Sequence, residues 1–156
     1  QPPVLEAYVE TVQVGGVAGR LLFTADAAPQ DLQRWRDAAV KEEPVSADTR
    51  RITLGAEHRD EALRSPLLGI GFIPAAQLDA ATLRQRFGDP AELIRPEGQP
   101  LEHWLYPAQG LAIVLDTKGR ELLQYVAPAD FERRLRAPLV KASAAPAAKP
   151  ASGPPG

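Results

Sequence analysis

Cysteine is absent from this 156-residue chain, and so is methionine. Without cysteine there is no disulfide framework, no thiolate nucleophile and no thiolate metal site. Histidine is scarce, with only His58 and His103, and neither has a partner at a metal-binding spacing such as His-x-x-x-His. No run approaches the roughly 20 apolar residues that a membrane-crossing helix requires. Basic charge is not in excess either. The net charge is −2, and Lys141 and Lys149 give residues 141–156 a charge of +2, which leaves −4 on residues 1–140. A mildly acidic body lacks the clustered Lys and Arg that neutralise phosphate backbones, so a nucleic-acid role is excluded as a reading.

What is present is an ordinary globular composition, 44% hydrophobic and 24% charged, long enough to bury a core without staples. The most informative stretch is Leu78–Val126. Asp79 is an N-cap residue, Leu78 and Leu83 stand at the positions of a hydrophobic staple, and Leu83 and Phe87 share a face four residues apart. Gly88 closes the helix, Pro90 prevents its resumption, and Arg84 and Arg86 suit its negative pole. Three extended runs follow. Leu101–Tyr106 places Leu101, His103 and Leu105 on one face and Glu102, Trp104 and Tyr106 on the other. Leu111–Leu115 is continuously apolar, as a strand buried on both faces would be. Glu121–Val126 carries Leu123 and Tyr125 on one face and Leu122 and Val126 on the other. Asp116-Thr117-Lys118-Gly119 is turn chemistry and predicts a hairpin. The expectation is a helix packed on a three-stranded antiparallel meander.

These residues carry a resemblance. Leu78-Asp79, then Arg84-Gln85-Arg86-Phe87-Gly88-Asp89-Pro90, then Trp104-Leu105-Tyr106, then Ile113-Val114-Leu115-Asp116-Thr117-Lys118-Gly119-Arg120 resembles the SmpA/OmlA (BamE-type) superfamily of small outer-membrane lipoproteins, over residues 69–126. Gly71-Phe72-Ile73-Pro74 stands where that family has a Gly-Met-Thr entry. The resemblance implies a lipid-anchored, periplasm-facing scaffolding protein with no catalytic residues to carry over.

Upstream, Val4–Val14 and Val17–Thr24 read as strands joined by Gly15-Gly16. Residues 28–43 read as a helix with Pro29 at its first position, Leu32, Trp35 and Ala39 on one face, and Pro44 at its end. Arg50–Leu54 reads as a strand and Arg59–Leu63 as a helical turn. Gly69-Ile70-Gly71 reads as a bend or close approach, and about 128–136 as a short helix with Phe131 and Leu135 on one face. The fold class is therefore α+β, with antiparallel sheet and two small lobes (1–66 and 67–140). The tail, 141–156, consists of Ala, Pro, Ser, Gly and Lys and reads as disordered. The opening Gln1-Pro2-Pro3 reads as a trimmed start, of the kind left where a signal peptide or a lipobox cysteine precedes it.

Candidates for chemistry each have a plainer explanation. Glu57-His58-Arg59-Asp60 reads as a solvated surface, and His103 as a partly buried strand residue. Ser65 lies in no nucleophile elbow. The pairs Glu42-Glu43 and Asp60-Glu61, adjacent in sequence, diverge rather than converge on a substrate. Gly15-Gly16-Val17-Ala18-Gly19 lacks both phosphate-loop patterns and is a hairpin turn. Arg133, Arg134 and Arg136 either meet anionic headgroups or complement a helix terminus. Trp104 and Tyr106, with Tyr125 nearby, form an amphipathic contact patch if the helix leaves their face open. If it does not, they are sheet-to-helix core with Phe87. The expected function is a non-catalytic cell-envelope interaction or scaffolding protein, periplasmic or anchored at the outer membrane, with a protein partner and no cofactor or metal. A binding module for a peptide, an envelope polymer or an inhibited enzyme is the alternative, and an enzyme with an unrecognised site the third.

Overall fold

The computed structural model describes residues 3–116 and 121–144. It is an α+β fold built on one seven-stranded sheet in which every neighbouring pair is antiparallel. The strands are β1 (Leu5–Val14), β2 (Val17–Ala25), β5 (Leu67–Pro74), β6 (Glu92–Ile94), β7 (Leu101–Tyr106), β8 (Leu111–Asp116) and β9 (Leu122–Tyr125), in spatial order β1-β2-β5-β9-β8-β7-β6. Between β2 and β5 the chain makes α1 (Pro29–Asp37), a separate hairpin of β3 (Lys41–Pro44) and β4 (Arg50–Thr53), and α2 (Ala56–Ala62). Helix α3 (Ala80–Phe87) follows β5, and α4 (Ala137–Ala144) ends the described chain.

Local chemistry accounts for most of these elements. Gly15 and Gly16, at φ +55° and +79°, make the two-residue turn that sets Val14 opposite Val17. Asp79 accepts a 2.6 Å hydrogen bond from Thr82 N at the start of α3, and that bond holds its carboxyl below the usual carboxylate range. Buried Glu121 accepts from Leu78 N at 3.1 Å, so the start of β9 is tied to the entry of α3.

Several expectations are corrected. The helix over 28–43 ends at Asp37, because Lys41–Pro44 pairs with Arg50–Thr53 and sets Glu43 opposite Arg51. Glu42 and Glu43 therefore diverge as alternate strand residues, not around a helix. Leu67–Pro74 is a central strand, not a bend; its glycines Gly69 and Gly71 lie on one face while Ile70 and Phe72 fill the other. The split at 66/67 separates β2 from β5, which are hydrogen-bonded neighbours, so residues 1–66 and 67–140 share one sheet. The piece that stands outside that sheet is the insertion 29–62. The helix expected at 128–136 is a short 3₁₀ turn (Pro128–Asp130) and a wide π-type turn (Glu132–Arg136) running into α4. Lys141 to Ala144, assigned above to the tail, are helical; 145–156, expected to be disordered, and the predicted turn residues Thr117–Gly119 lie outside the described residues.

Strand register sorts the sheet into two faces. One carries Leu21, Phe72, Leu123, Ile113 and Trp104 in a line across five strands. Over the β8–β7 half of this face lies α3, with Leu83 fully buried against Trp104, Tyr106, Leu111 and Ile113. Burying a leucine side chain contributes about 2 kcal/mol. On the other face the C-terminal segment covers the same half, where Phe131, Leu135 and Leu139 pack on Leu105 and Ala112.

The insertion has its own anchor. Trp35 of α1 is buried and its Nε1–H donates to Glu61 of α2 at 3.0 Å, while Arg34 donates to both oxygens of Glu61 at 2.6 and 2.8 Å. These bonds, Arg34 first, pull the Glu61 carboxyl from its ordinary 4.5 to about 2. A depressed carboxylate contributes stability that is complete above the unfolded value and is lost as pH falls through the folded one. The Trp35 indole N–H resonance is therefore expected to lose its folded position between pH 4.5 and about 2. In Glu61→Gln the α1–α2 contact is already weakened at neutral pH, and the same resonance is expected not to titrate in that window.

Candidate binding groove

With α3 over one half of its face, the other half of that face stays uncovered, and an apolar groove of about 310 Å³ runs along it. Its floor is sheet: Leu21 and Phe23 of β2, Ile70 and Phe72 of β5, Leu123 and Tyr125 of β9. One wall is Leu78, Arg86 and Phe87 around α3, and the turn end of the β1–β2 hairpin closes it with Val14 and Val17. Register explains the floor, since Leu21, Phe72 and Leu123 are consecutive cross-strand partners, as are Phe23, Ile70 and Tyr125. Gly19 has a role here: a Cβ at that position would meet the Phe72 ring and the Ile73 carbonyl at 2.5 Å, so glycine leaves the room that the ring occupies. The charged lining residue is Arg86, exposed at the rim, whose Nη2 donates to the Gly15 carbonyl at 2.8 Å. This bond pins the end of α3 to the hairpin turn and fixes the width of the groove.

Trp104 and Tyr106, grouped above with Tyr125 as a contact patch, are 1% and 5% exposed and lie beneath α3. They are core, because Leu83 and Phe87 cover them; the Phe87 and Tyr106 rings stand 6.2 Å apart and the Tyr106 hydroxyl donates to the Gly88 carbonyl at 3.0 Å. Tyr125 alone of the three reaches the groove, half-buried, and its burial pushes the hydroxyl up from its ordinary value. The shared face was readable from alternation. Which half the helix leaves open was not.

The titratable candidates are kept apart. His103 stands on the opposite face between Ile94 and Val114, and burial lowers its affinity for a proton. His58 lies in α2 with Nδ1 3.5 Å from Glu61, whose oxygens are already held by Arg34 and Trp35. Asp60 faces Arg59, and Glu61 turns to α1, so the adjacent carboxylates do diverge. Arg133 and Arg134 face Asp130, and Arg136 binds Glu92 at 2.6 Å, so these arginines complement acids within the fold. Among the described residues no group of three or more His, Asp or Glu side chains is placed to hold a metal ion, and no helix is long and apolar enough to cross a membrane. Compared with family models, with curated proteins and with solved structures, the chain matches none of them.

Proposed function

We propose that this protein works by contact: a non-catalytic cell-envelope interaction or scaffolding protein, kin in kind to the SmpA/OmlA lipoproteins, that seats an apolar segment of a protein partner in the groove between α3 and the β1–β2 hairpin. The observation that carries the reading is the uncovered apolar half-face, floored by Leu21, Phe23, Ile70 and Tyr125. Apolar side chains left open in a groove mark a surface that another molecule completes. At about 310 Å³ the groove is at the small end of ligand sites, which start near roughly 300 Å³; a few side chains of an extended or helical segment fill it. The envelope setting draws on the helix-stop, Trp-x-Tyr and strand motifs quoted above.

A photo-crosslinking amino acid placed at Phe23 in the native cells tests this. One dominant protein adduct in the envelope fraction is expected, lost when Leu21→Asp is added and absent when the same probe replaces buried Trp104. No adduct from Phe23 or Tyr125, or an adduct indifferent to Leu21→Asp, would sink the reading.

A further inference from the structure

The two edges of the sheet differ. At one end β6 is three residues long and its Glu92 is held by Arg136, a short edge backed by an ion pair. At the other end β1 runs ten residues, pairs among the described residues with β2 alone, and presents exposed Tyr8 and Val9 at 54% and 41%. Folded proteins blunt such an edge with proline, a bulge or charged side chains, lysine above all. Within Leu5–Val9 there is no proline, lysine or bulge, and Glu6 is its one charge; the bulge in β1 comes after it, between Val9 and Val12. An open, regular run of five residues is left, about 17 Å long at strand rise.

The sequence of that run is complementary to itself in one register. If two copies pair antiparallel about a two-fold axis normal to the sheet, the axis must pass beside one residue. An axis at Glu6 opposes that carboxylate to its own copy. An axis at Tyr8 opposes Glu6 to Glu10, again like charges directly across a ladder. An axis at Leu5 brings Pro3, which has no N–H, into the ladder, and one at Val9 runs into the bulge. An axis at Ala7 opposes Leu5 to Val9 and Glu6 to Tyr8, each twice, with no carboxylates facing. Leu5, Ala7 and Val9 lie on the groove face, opposite Ala25, Phe23 and Leu21, so this pairing sets the two grooves side by side on one continuous apolar face.

From this we infer that the β1 edge is a docking surface for a second copy of the chain, joined antiparallel through Leu5–Val9 about Ala7. The inference goes beyond the groove's occupant and names the assembly that presents it. A cysteine-free chain makes the test clean. Across the axis the two Ala7 Cα atoms would stand roughly 4.5–5.5 Å apart, within the range a disulfide spans. Sedimentation equilibrium of the 156-residue protein is expected to give a reversible dimer. Oxidised Ala7→Cys should run as a covalent dimer, Val45→Cys on the β3–β4 hairpin should not, and Val9→Lys should raise the dimer Kd about tenfold or more. If Val9→Lys fails to fold, the Ala7→Cys bond alone decides. A monomer at every soluble concentration, or a dimer that Ala7→Cys does not lock, overturns the inference, and neither result bears on the Phe23 crosslink.

Discussion

Gly110→Ala is expected to destabilise the protein by about 3 kcal/mol or more, whereas Gly16→Ala costs about 1 kcal/mol, although both glycines have positive φ. Gly110 sits at φ +64°, ψ +24°, closing the 3₁₀ turn Pro107–Gln109 between β7 and β8. Its carbonyl accepts from Val126 N at 2.9 Å. A Cβ there would be driven into the Val126 carbonyl oxygen, with Pro128 N at 3.2 Å behind it. Neither neighbour is a side-chain end that can swing away; both are backbone at the point where β9 leaves the sheet for the C-terminal segment. Relief would have to break the Val126 bond and shift Phe131 off Leu105 and Ala112. Gly16, in the two-residue β1–β2 turn, has φ +79° and nothing within 4 Å of a Cβ, so its alanine variant bears only the left-handed backbone cost. Urea denaturation followed by far-UV circular dichroism separates the two. Loss of about 3 kcal/mol corresponds to a Tm drop of roughly 6–12 °C for a chain of this size. Equal midpoints for the two variants would contradict the packing of the β7–β8 turn against Val126.

Much of the fold is written locally. Helix α3 is legible because its cap, staple and stop lie within a dozen residues, and β7, β8 and β9 because apolar alternation and turn residues bracket them. The parts that escape depend on which strand pairs with which, or are too short to show a period. β5 has two glycines that weaken a strand signal, and it is a strand because β2 and β9 pair on its two sides. β6 is three residues long, too short for any period to register. α1 stops at Asp37, short of the expected 43, because Lys41–Pro44 pairs with Arg50–Thr53. That pairing, with Glu43 opposite Arg51 and Glu42 near Arg50, does not register in helical periodicity over 28–43. The groove follows the same logic. Its floor residues are ordinary strand hydrophobics, and they become a site only because α3 covers β7 and β8 and stops short of β5 and β2. No motif encodes that offset; the nearest signal is Arg86, exposed on a helix whose other face is buried.

Trp104→Ala is expected to cost about 3–5 kcal/mol, which approaches the whole stability of an ordinary domain at its lower end, about 5 kcal/mol. The ring is 1% exposed, set between Leu93 and Ile113 on the neighbouring strands. The Arg84 guanidinium lies over it at 4.7 Å, and its Nε1–H donates to Glu102 at 3.1 Å. Glu102 is held below the usual carboxylate range by Arg95 first and by this indole second, so truncation removes a packing element and a charge-assisted hydrogen bond together. Trp104→Phe keeps most of the volume and loses the bond, for about 1 kcal/mol. A residue whose work is to touch a partner behaves in the opposite way: Phe23→Ala, on the open half of the same face, is expected to move the urea midpoint little and to abolish the adduct formed by the same probe placed at Tyr125. If Trp104→Ala instead left the midpoint unchanged and removed the adduct, α3 would not cover that half of the sheet in solution, and the contact surface would lie beneath it.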